Sequence, residues 1–456
     1  MEKGFEPGVQ VPIVGIDLTR FAAALMVVLF HYGFLSWHEQ SSYSLGTRAA
    51  VGATVTFPEA VPATWWGWVG VQVFFVVSGF VIAMSADGRS AGGFLRARVL
   101  RLAPALWFFA TLALVATLAY ASLPLSQIVP FYLRSLVLFP TGGWLDGVYW
   151  TLVVEVVFYG LVLLLSATGS LHRLEPVIRV WTAVSCLFWA LCLAALFGLL
   201  PDHLSAVVDR AATSYALRIL LVSTGPYFIV GLSLYLIHRH GINRGRLVVL
   251  GLATCAAEAG IYHYGAVAIA EHAVTASPLV PCLAWTAALV VMMASIAHAE
   301  TIQGWLSERS ARRLRNLGLA TYPLYLFHNI SGARLFGGML NAGLPRYLAL
   351  ALAVAVAIGV SYLFAVRIEG MLRTRIAAVL DRITSSLASR VKGREWLSSI
   401  NLPPRSFRER IAWPVRAAAR RVRRAMPAPG WRRQHSPAAV EGRDPRPGQQ
   451  VRPRFW

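Results

Sequence analysis

Residues 16–35 form the sequence IDLTRFAAALMVVLFHYGFL. Ten consecutive apolar residues separate Arg20 from His31, and most of the residues that follow are apolar as well. A bilayer core of about 30 Å needs about twenty predominantly apolar residues in one helix. The stretch therefore predicts a membrane-spanning helix, and the lack of a small-residue cleavage pattern predicts that it is retained rather than removed as a signal peptide.

The rest of the chain continues this pattern. Of the 456 residues, 57% are hydrophobic and 14% are charged, and the mean hydropathy is +0.58. These values exclude a water-facing surface over most of the chain. They predict an all-α integral membrane protein with about ten transmembrane helices, and segment 128–140 is expected to be re-entrant or interfacial. The expected spans are 16–36, 66–86, 104–122, 148–167, 177–200, 217–238, 246–264, 277–298, 318–334 and 345–367.

Cationic residues alternate between the connections of these spans. With the N-terminus in the cytoplasm, the odd-numbered connections carry few cations and the even-numbered ones carry clusters, as the positive-inside rule requires. Both termini are then cytoplasmic. The abundance of Ala and Arg favours a bacterial source, so we expect a multi-pass protein of the bacterial cytoplasmic (inner) membrane. The clustered cations are Arg89, Arg96, Arg98 and Arg101; Arg173 and Arg179; Arg239, Arg244 and Arg246; and Arg309, Arg312, Arg313 and Arg315.

The chain divides into a transmembrane domain, residues 1–375, and a basic cytoplasmic extension, residues 376–456. The extension accounts for much of the net charge of +21. It interleaves tryptophans with arginines, a pattern typical of segments that lie on anionic lipid headgroups. Nucleic-acid binding is the rival interpretation, but the sequence shows no recognisable nucleic-acid-binding fold beside the basic patch. We therefore expect anionic lipids and no nucleic acid as partners, with disorder in the Pro-rich end.

Ionisable side chains inside spans are costly and are functional candidates by default. Arg20 and His31 are eleven residues apart, so they project from nearly the same helix face at an axial separation of about 16 Å. The expected topology puts His31 and Glu155 at similar depth, and a carboxylate that orients an imidazole suits a general base. Two simpler interpretations stay open. His31 could only hydrogen-bond a neighbouring helix, and Glu155 could pair with Arg20 or Arg134.

Three arginines between the second and third spans have two interpretations. Arg96, Arg98 and Arg101 fit a positive-inside anchor, which is the favoured interpretation without other evidence. The functional interpretation is that their guanidinium forks grip the phosphates of a cytoplasmic cofactor.

Further polar residues are marked in the second and ninth spans. Ser78 and Gly79 suit close helix contact better than nucleophilic chemistry. Tyr322 and Tyr325 suit interfacial anchors or buried donors, whereas His328 lies in the middle of its span. The four cysteines have no ligand or disulfide spacing, so no metal is expected.

Five motifs in the chain resemble those of the acyltransferase-3 family of membrane acyltransferases. GIDLTRFAAALMVVLFHYGF, with ten residues between Arg20 and His31, resembles its first-helix signature, and FFVVSGFVIA resembles its SGF element. FLRARVLRLAP holds Arg98 and Arg101 in the family's R-x-x-R spacing. WTLVVEVVFY, residues 150–159, resembles the W-[ST]-L-x-V-E-x-x-F-Y element, and LATYPLYLFH resembles the late S-Y-x-x-Y-L-x-H element.

The resemblance covers roughly residues 10–370 and implies roles for individual residues. By it, His31 is the essential histidine with Arg20 as its first-helix partner, and Glu155 is the acidic residue of the fourth motif. Arg98 and Arg101, with Arg96 beside them, are linked to acyl-CoA. We expect further substrate-binding side chains from the same motifs, and Thr321, Val156 and Val157 depart from the commoner pattern. The expected substrate-binding residues are Ser78, Trp150, Tyr159, Tyr322 and His328.

The family implies transfer of an acetyl or related acyl group from cytoplasmic acyl-CoA, with acetyl-CoA the expected donor. The implied acceptor is a sugar hydroxyl of a surface polysaccharide, lipid-linked glycan or glycosylated metabolite. We expect His31 either to deprotonate this hydroxyl or to accept the acyl group itself. The rival function is a transporter or flippase whose intramembrane charges line a pathway. A membrane scaffold would leave Arg20, His31 and Glu155 unexplained.

Overall fold

Helices account for most of the residues that the structure describes. The computed structural model describes residues 13–39 and 45–392, with side chains through residue 385, and these residues contain no β-strand. The α-helices are α1 Val14–Phe30, α2 Ser36–His38, α3 Thr47–Val51, α4 Val61–Thr64, α5 Gly70–Ala86, α6 Ala91–Leu118, α7 Leu125–Val137, α8 Tyr149–Ala167, α9 Leu174–Leu196, α10 Asp202–Thr213, α11 Tyr215–Ile219, α12 Gly225–His240, α13 Arg244–His272, α14 Leu279–Ala297, α15 Ala299–Trp305, α16 Glu308–Phe327, α17 Ala333–Asn341, α18 Arg346–Leu363 and α19 Glu369–Lys392. Three π-helical segments are His31–Leu35, His328–Gly332 and Phe364–Ile368, and three short 3-10 segments are Pro58–Ala60, Gly67–Val69 and Leu171–Arg173.

Eight helical stretches in the described part of the chain are long and apolar enough to cross a membrane. The predicted all-α membrane fold is thus confirmed. The predicted spans 217–238 and 318–334 fall on helices that are not among the eight. Helix α12 has only 16 residues, and α16 begins with the charged run Glu308 to Arg315. Both helices are packed among other helices, so protein rather than lipid surrounds much of their apolar surface. The eight stretches are Val14–His38, Pro58–Ala86, Ala91–Leu118, Tyr149–Ala167, Leu171–Leu196, Arg244–His272, Leu279–Ala297 and Arg346–Ser385.

Helix α12 lies deep in the bundle, with every residue from Gly225 to Leu236 buried. It crosses α5 where Gly79 faces Gly231. A β-carbon on Gly79 would collide with the backbone oxygen of Phe228, and one on Gly231 would collide with that of Val76. The two glycines therefore let the helix backbones touch, which is the packing role expected for Gly79.

Gly231→Val should prevent this crossing and destabilise the fold by about 3 kcal/mol, because the added side chain meets backbone rather than a movable side chain. Thermal unfolding of the purified protein in detergent would show the effect as a lower melting temperature or loss of folded protein. Gly160→Val is the matched control, since Gly160 is exposed on α8 and its added β-carbon meets no atom within 4 Å. Equal melting temperatures for the two variants would contradict the crossing.

Helix α1 positions the site because it lies between two hydrophobic clusters. Ile16 and Ala23 belong to one cluster, together with residues of α5, α8, α12 and α13, whereas Ala24 and Val27 belong to the other, together with residues of α6, α16 and α18. Close backbone approach fixes α1 against α5, since a β-carbon on Gly70 would collide with the backbone oxygen of Ala23.

The segment expected to be re-entrant or interfacial forms α7. This helix has 13 residues, which corresponds to a length of about 20 Å, too short to span a bilayer core. All contacts described below lie within one compact unit, Met1–Ser386. The second unit begins at Leu387, and the structure describes it only to Lys392. The lipid-binding tryptophans and arginines predicted for the C-terminal extension lie outside the described residues.

Candidate functional site

A cavity of about 110 Å³ lies between α1, α5, α6, α8 and α16. Its wall combines apolar side chains with charged and hydroxyl side chains. Seven of the eleven residues expected at the site line it, although they come from five different helices. These seven are Arg20, Ser78, Arg98, Arg101, Glu155, Tyr159 and Tyr322.

Glu155 provides the only carboxylate among the residues that line the cavity. Its Oε1 atom accepts hydrogen bonds from the Ser78 hydroxyl at 2.5 Å and from the Tyr159 hydroxyl at 2.6 Å. Tyr159 lies one helical turn after Glu155 on α8, so the i, i+4 spacing brings the two groups together. Ser78 and Tyr159, expected to bind substrate, therefore hold the carboxylate in a fixed orientation.

Arg98 lines the cavity and has no carboxylate partner among the described residues. Its guanidinium lies over the rings of Phe94 and Tyr159, at 5.7 Å and 5.8 Å from their centroids. The Nε atom of Arg98 is buried and has no hydrogen-bond partner among the described residues. Aromatic faces hold a guanidinium in place without removing its charge, so Arg98 is available to bind an anion.

Arg101 and Arg96 differ from Arg98 in having carboxylate partners. Arg101 forms a half-buried ion pair of 3.0 Å with Glu369. Arg96 projects outward and pairs with Asp381 at 2.9 Å, where both side chains are exposed. Arg96 was expected beside the cofactor, but it does not line the cavity. Arg98 follows Arg96 by two residues and therefore projects in a different direction from the helix. This explains why the two arginines have different contacts.

His31 lies beyond the cavity and contacts His328. The Nδ1 atom of His31 is 3.3 Å from Nε2 of His328, and the two rings meet edge to face at 4.7 Å. Nδ1 of His31 is also 2.8 Å from the backbone oxygen of Val27, and Nδ1 of His328 is 2.8 Å from that of Tyr325. Because a carbonyl oxygen can only accept, both Nδ1 atoms carry the proton of the neutral ring. Nε2 of His31 is then the nitrogen with a free lone pair.

Both histidines are the first residues of π-helical segments, His31–Leu35 and His328–Gly332. A π-turn adds one residue to a helical turn and is frequent at functional sites. The turn at His328 leaves its backbone oxygen available, and the Tyr32 hydroxyl donates to this oxygen at 2.8 Å. Each distorted turn thus stabilises the other.

A series of buried polar side chains anchors the second π-helical segment, His328–Gly332. Asp146 Oδ1 accepts hydrogen bonds from the Asn329 amide at 2.7 Å and from the Val148 backbone N–H at 3.0 Å. The Thr47 hydroxyl in turn donates to Asn329 Oδ1 at 2.6 Å. Burial raises the pKa of the Asp146 carboxyl to about 6, and the hydrogen bond from Asn329 opposes this shift. Sequence reasoning missed Asp146 and Asn329, although Asn329 is a polar residue inside a predicted span and follows His328 directly.

The expected contact between His31 and Glu155 is wrong, because the two side chains have the different partners described above. The depth estimate placed the start of α8 at the membrane surface. Instead Leu145, Asp146 and Tyr149 are fully buried, so α8 begins inside the protein. The Thr151 hydroxyl is 2.7 Å from that of Tyr325, close to His328, and Glu155 lies about 6 Å further along α8. Glu155 therefore lies at the depth of the cavity.

Tyr325 separates the cavity from the histidine pair. It lines the cavity, and its ring centroid is 5.5 Å from that of His328. Trp150 does not line the cavity and packs against Phe75, which does. Of the remaining expected substrate-binding residues, Tyr322 lines the cavity below Tyr325, and its ring lies 5.7 Å from the guanidinium of Arg101. The arrangement brings a cation-lined cavity to within one side chain of the histidine pair.

Many apolar helices around such a site define a multi-pass membrane protein with an internal reaction or binding centre. The family model described as acyltransferase domain (acyltransferase-3) matches residues 13–366. The chain belongs to this family, as its five motifs predicted, and is a membrane acyltransferase. No curated protein and no solved structure matches the chain.

Proposed function

We propose that the protein transfers an acetyl or other short acyl group from acyl-CoA to a sugar hydroxyl. The acceptor class is a surface polysaccharide, a lipid-linked glycan or a glycosylated metabolite. The observation that carries the proposal is the single cavity that has arginines at one end and approaches the histidine pair at the other. It offers a binding site for an anionic donor and a base for the acceptor.

The proposal includes the orientation of the protein in the membrane. Helix α12 and the segment α16–α17 complete ten spans, and both termini lie in the cytoplasm of a bacterial cell with the protein in its inner membrane. The alternating clusters of arginines support this orientation. Arg98 and Arg101 then lie toward the cytoplasm, where acyl-CoA is made, and His31 lies toward the outer face, where an envelope glycan would arrive.

Charge supports an anionic donor at the arginine end. Arg20, Arg98 and Arg101 line the cavity with one carboxylate, Glu155, while Glu369 pairs with Arg101 from the side. The surplus of positive charge suits the phosphate groups of CoA, because guanidinium groups bind phosphate oxygens in bidentate geometry. Glu155 keeps part of this charge balanced and fixes the hydroxyls of Ser78 and Tyr159.

The acyl transfer itself would use Nε2 of His31. This atom takes the proton of the acceptor hydroxyl as its oxygen attacks the thioester carbonyl carbon. The new C–O bond forms, the C–S bond breaks, and the departing thiolate receives the proton back from His31. His328 accepts from Nδ1–H throughout and stabilises the imidazolium that forms in between. The alternative, in which His31 carries the acyl group itself, uses the same nitrogen.

Mass spectrometry of surface glycans and lipid-linked sugars tests the reaction class. We expect cells with the gene deleted to lose one O-acyl mass, and cells with the gene restored to regain it. Purified protein reconstituted in vesicles should consume acetyl-CoA only when the acceptor fraction from the deletion strain is present. Unchanged acylated species, with the protein present in the membrane and no consumption of acyl-CoA, would favour a transporter or flippase instead.

A further inference from the structure

Arg218 is a cation without a carboxylate partner near the start of α8. It lies on the short helix α11, and its guanidinium is 5.4 Å from the ring centroid of Trp150 and 5.8 Å from that of Tyr264. No ion pair of Arg218 occurs within residues 13–39 and 45–385, whose side chains the structure describes. The two rings fix the direction of the guanidinium and leave its charge unbalanced.

Two buried hydrogen-bond donors near Arg218 lack partners. Its Nε is buried and lacks a partner among the described residues, as does the indole Nε1 of Trp68. The Trp68 ring is 6.4 Å from that of Tyr264, on which Arg218 also lies. Guanidinium and indole N–H groups can only donate. A ligand that satisfies both must supply acceptor oxygens, and the unbalanced charge favours a negative one.

The free-energy cost of an unpaired charge also favours an anion at Arg218. Cation–π contacts stabilise a guanidinium by less than an unpaired charge costs when it is kept from water. An anion at Arg218 would reduce this cost and pair with the unpartnered Nε–H group. Arg218 is only partly buried, so a ligand has access to it.

This position differs from the arginine end of the cavity. Arg218 contacts Trp150, whereas Arg98 contacts Tyr159, nine residues further along the same helix. Nine residues correspond to about 13 Å. Trp150 packs against Phe75, a cavity-lining residue, so Arg218 lies beside the opposite end of the cavity. A donor whose phosphates occupy Arg98 leaves Arg218 free.

We propose that Arg218, supported by Trp68 and Trp150, binds the phosphate group of a lipid phosphate, and that this group belongs to the acceptor. The inference rests on the proposed function for the acceptor role, and it narrows the acceptor class to lipid-linked glycans. A lipid phosphate has two sources, the acceptor itself and the headgroups of the surrounding bilayer. Both offer the same chemistry to the guanidinium, so the experiment separates them.

The test measures binding of dodecyl phosphate to the purified full-length protein in a neutral detergent, with CoA at saturation to occupy the other cationic end. We expect Arg218→Gln to weaken binding about tenfold or more, because a charge-assisted hydrogen bond is lost, and Arg218→Lys to weaken it less. Arg210→Gln is the matched control, since Arg210 is exposed on the preceding helix α10. Melting temperatures of all variants verify folding.

Competition then identifies the source of the phosphate. A polyprenyl phosphate that displaces the probe more strongly than phosphatidylglycerol assigns the site to the acceptor. Equal displacement by both lipids assigns it to bilayer headgroups and overturns the acceptor assignment. Binding by folded Arg218→Gln as tight as by wild type overturns the site. The assay involves no acyl transfer, so its outcome is independent of whether the proposed reaction occurs.

Discussion

Replacing His31 by alanine should lower the rate of acyl transfer about a thousandfold while the protein stays folded, because general base catalysis contributes about 10²–10⁴-fold. The reason is geometric. Nδ1–H of His31 is engaged by Val27 and His328, which leaves Nε2 as the basic nitrogen. The measurement is incorporation of radiolabelled acetyl groups from acetyl-CoA into membranes isolated from a deletion strain and supplied with purified variant.

His263→Ala is the control for this experiment. His263 is likewise a histidine of a membrane helix, but it is buried against Trp189 and does not line the cavity. It should retain most of the transfer rate. A folded His31→Ala protein that incorporates label at the wild-type rate would eliminate both the base and the acyl-carrier versions of the mechanism.

The same experiment separates the roles of the two histidines. His328 touches His31 and not the cavity, so we assign it as a positioning residue. His328→Ala should slow transfer by about 10–100-fold, and the double variant should be no slower than His31→Ala alone. Such non-additivity is expected when one residue acts through another. Independent, additive losses would mean that His328 acts separately, for example by binding substrate.

The parts of the site that the sequence predicted are those set by local spacing. Arg20 and His31 share one helix, Glu155 and Tyr159 another, and the R-x-x-R spacing puts Arg98 and Arg101 together. The long apolar stretches likewise predicted the spans, because side chains exposed to lipid must be apolar whatever the tertiary contacts are. Helix α12 shows the limit of this rule, since a helix surrounded by protein needs neither length nor high hydropathy.

The parts that the sequence did not predict depend on where chain segments enter the bundle. The loop before α8 is buried, so Glu155 lies further from His31 than expected. No pattern within residues 150–159 indicates that displacement. The π-turns at His31 and His328 are stabilised by each other through Tyr32, which is a contact between residues 296 positions apart in the chain. A role for Arg218 was not predicted, because cations are common near the ends of membrane spans.

In the proposed reaction, the donor and the acceptor would be separated by charge and by depth. Arginines at one end of the cavity suit a donor with several phosphates, and the histidine pair lies about one side chain beyond the other end. Tyr325, between them, contacts both the cavity and His328. A thioester at the end of a flexible arm could pass this point, whereas the charged portion of the donor would stay at the arginines. Donor affinity and the chemical step should therefore depend on different residues.

Arg98→Gln tests this separation and should raise the KM for acetyl-CoA about 10–100-fold while kcat changes little. The expected size follows from a hydrogen bond between charged groups, which is worth about 1.5–3 kcal/mol. The effect is confined to KM because Arg98 is remote from the reacting atoms and binds the donor equally before and during the reaction. Initial rates at varied acetyl-CoA, with the same labelled-membrane assay, give both constants.

Arg96→Gln is a stringent control because it removes the same charge from the same helix, two residues away. Arg96 is exposed and paired with Asp381, so its loss should leave the KM for acetyl-CoA within about twofold, as is usual for surface ion pairs. Equal increases in KM for both variants would mean that net positive charge near the membrane surface attracts the donor. An unchanged KM in Arg98→Gln would mean that the cavity does not bind the donor. It would favour a transported anion as the ligand of the cavity's cations.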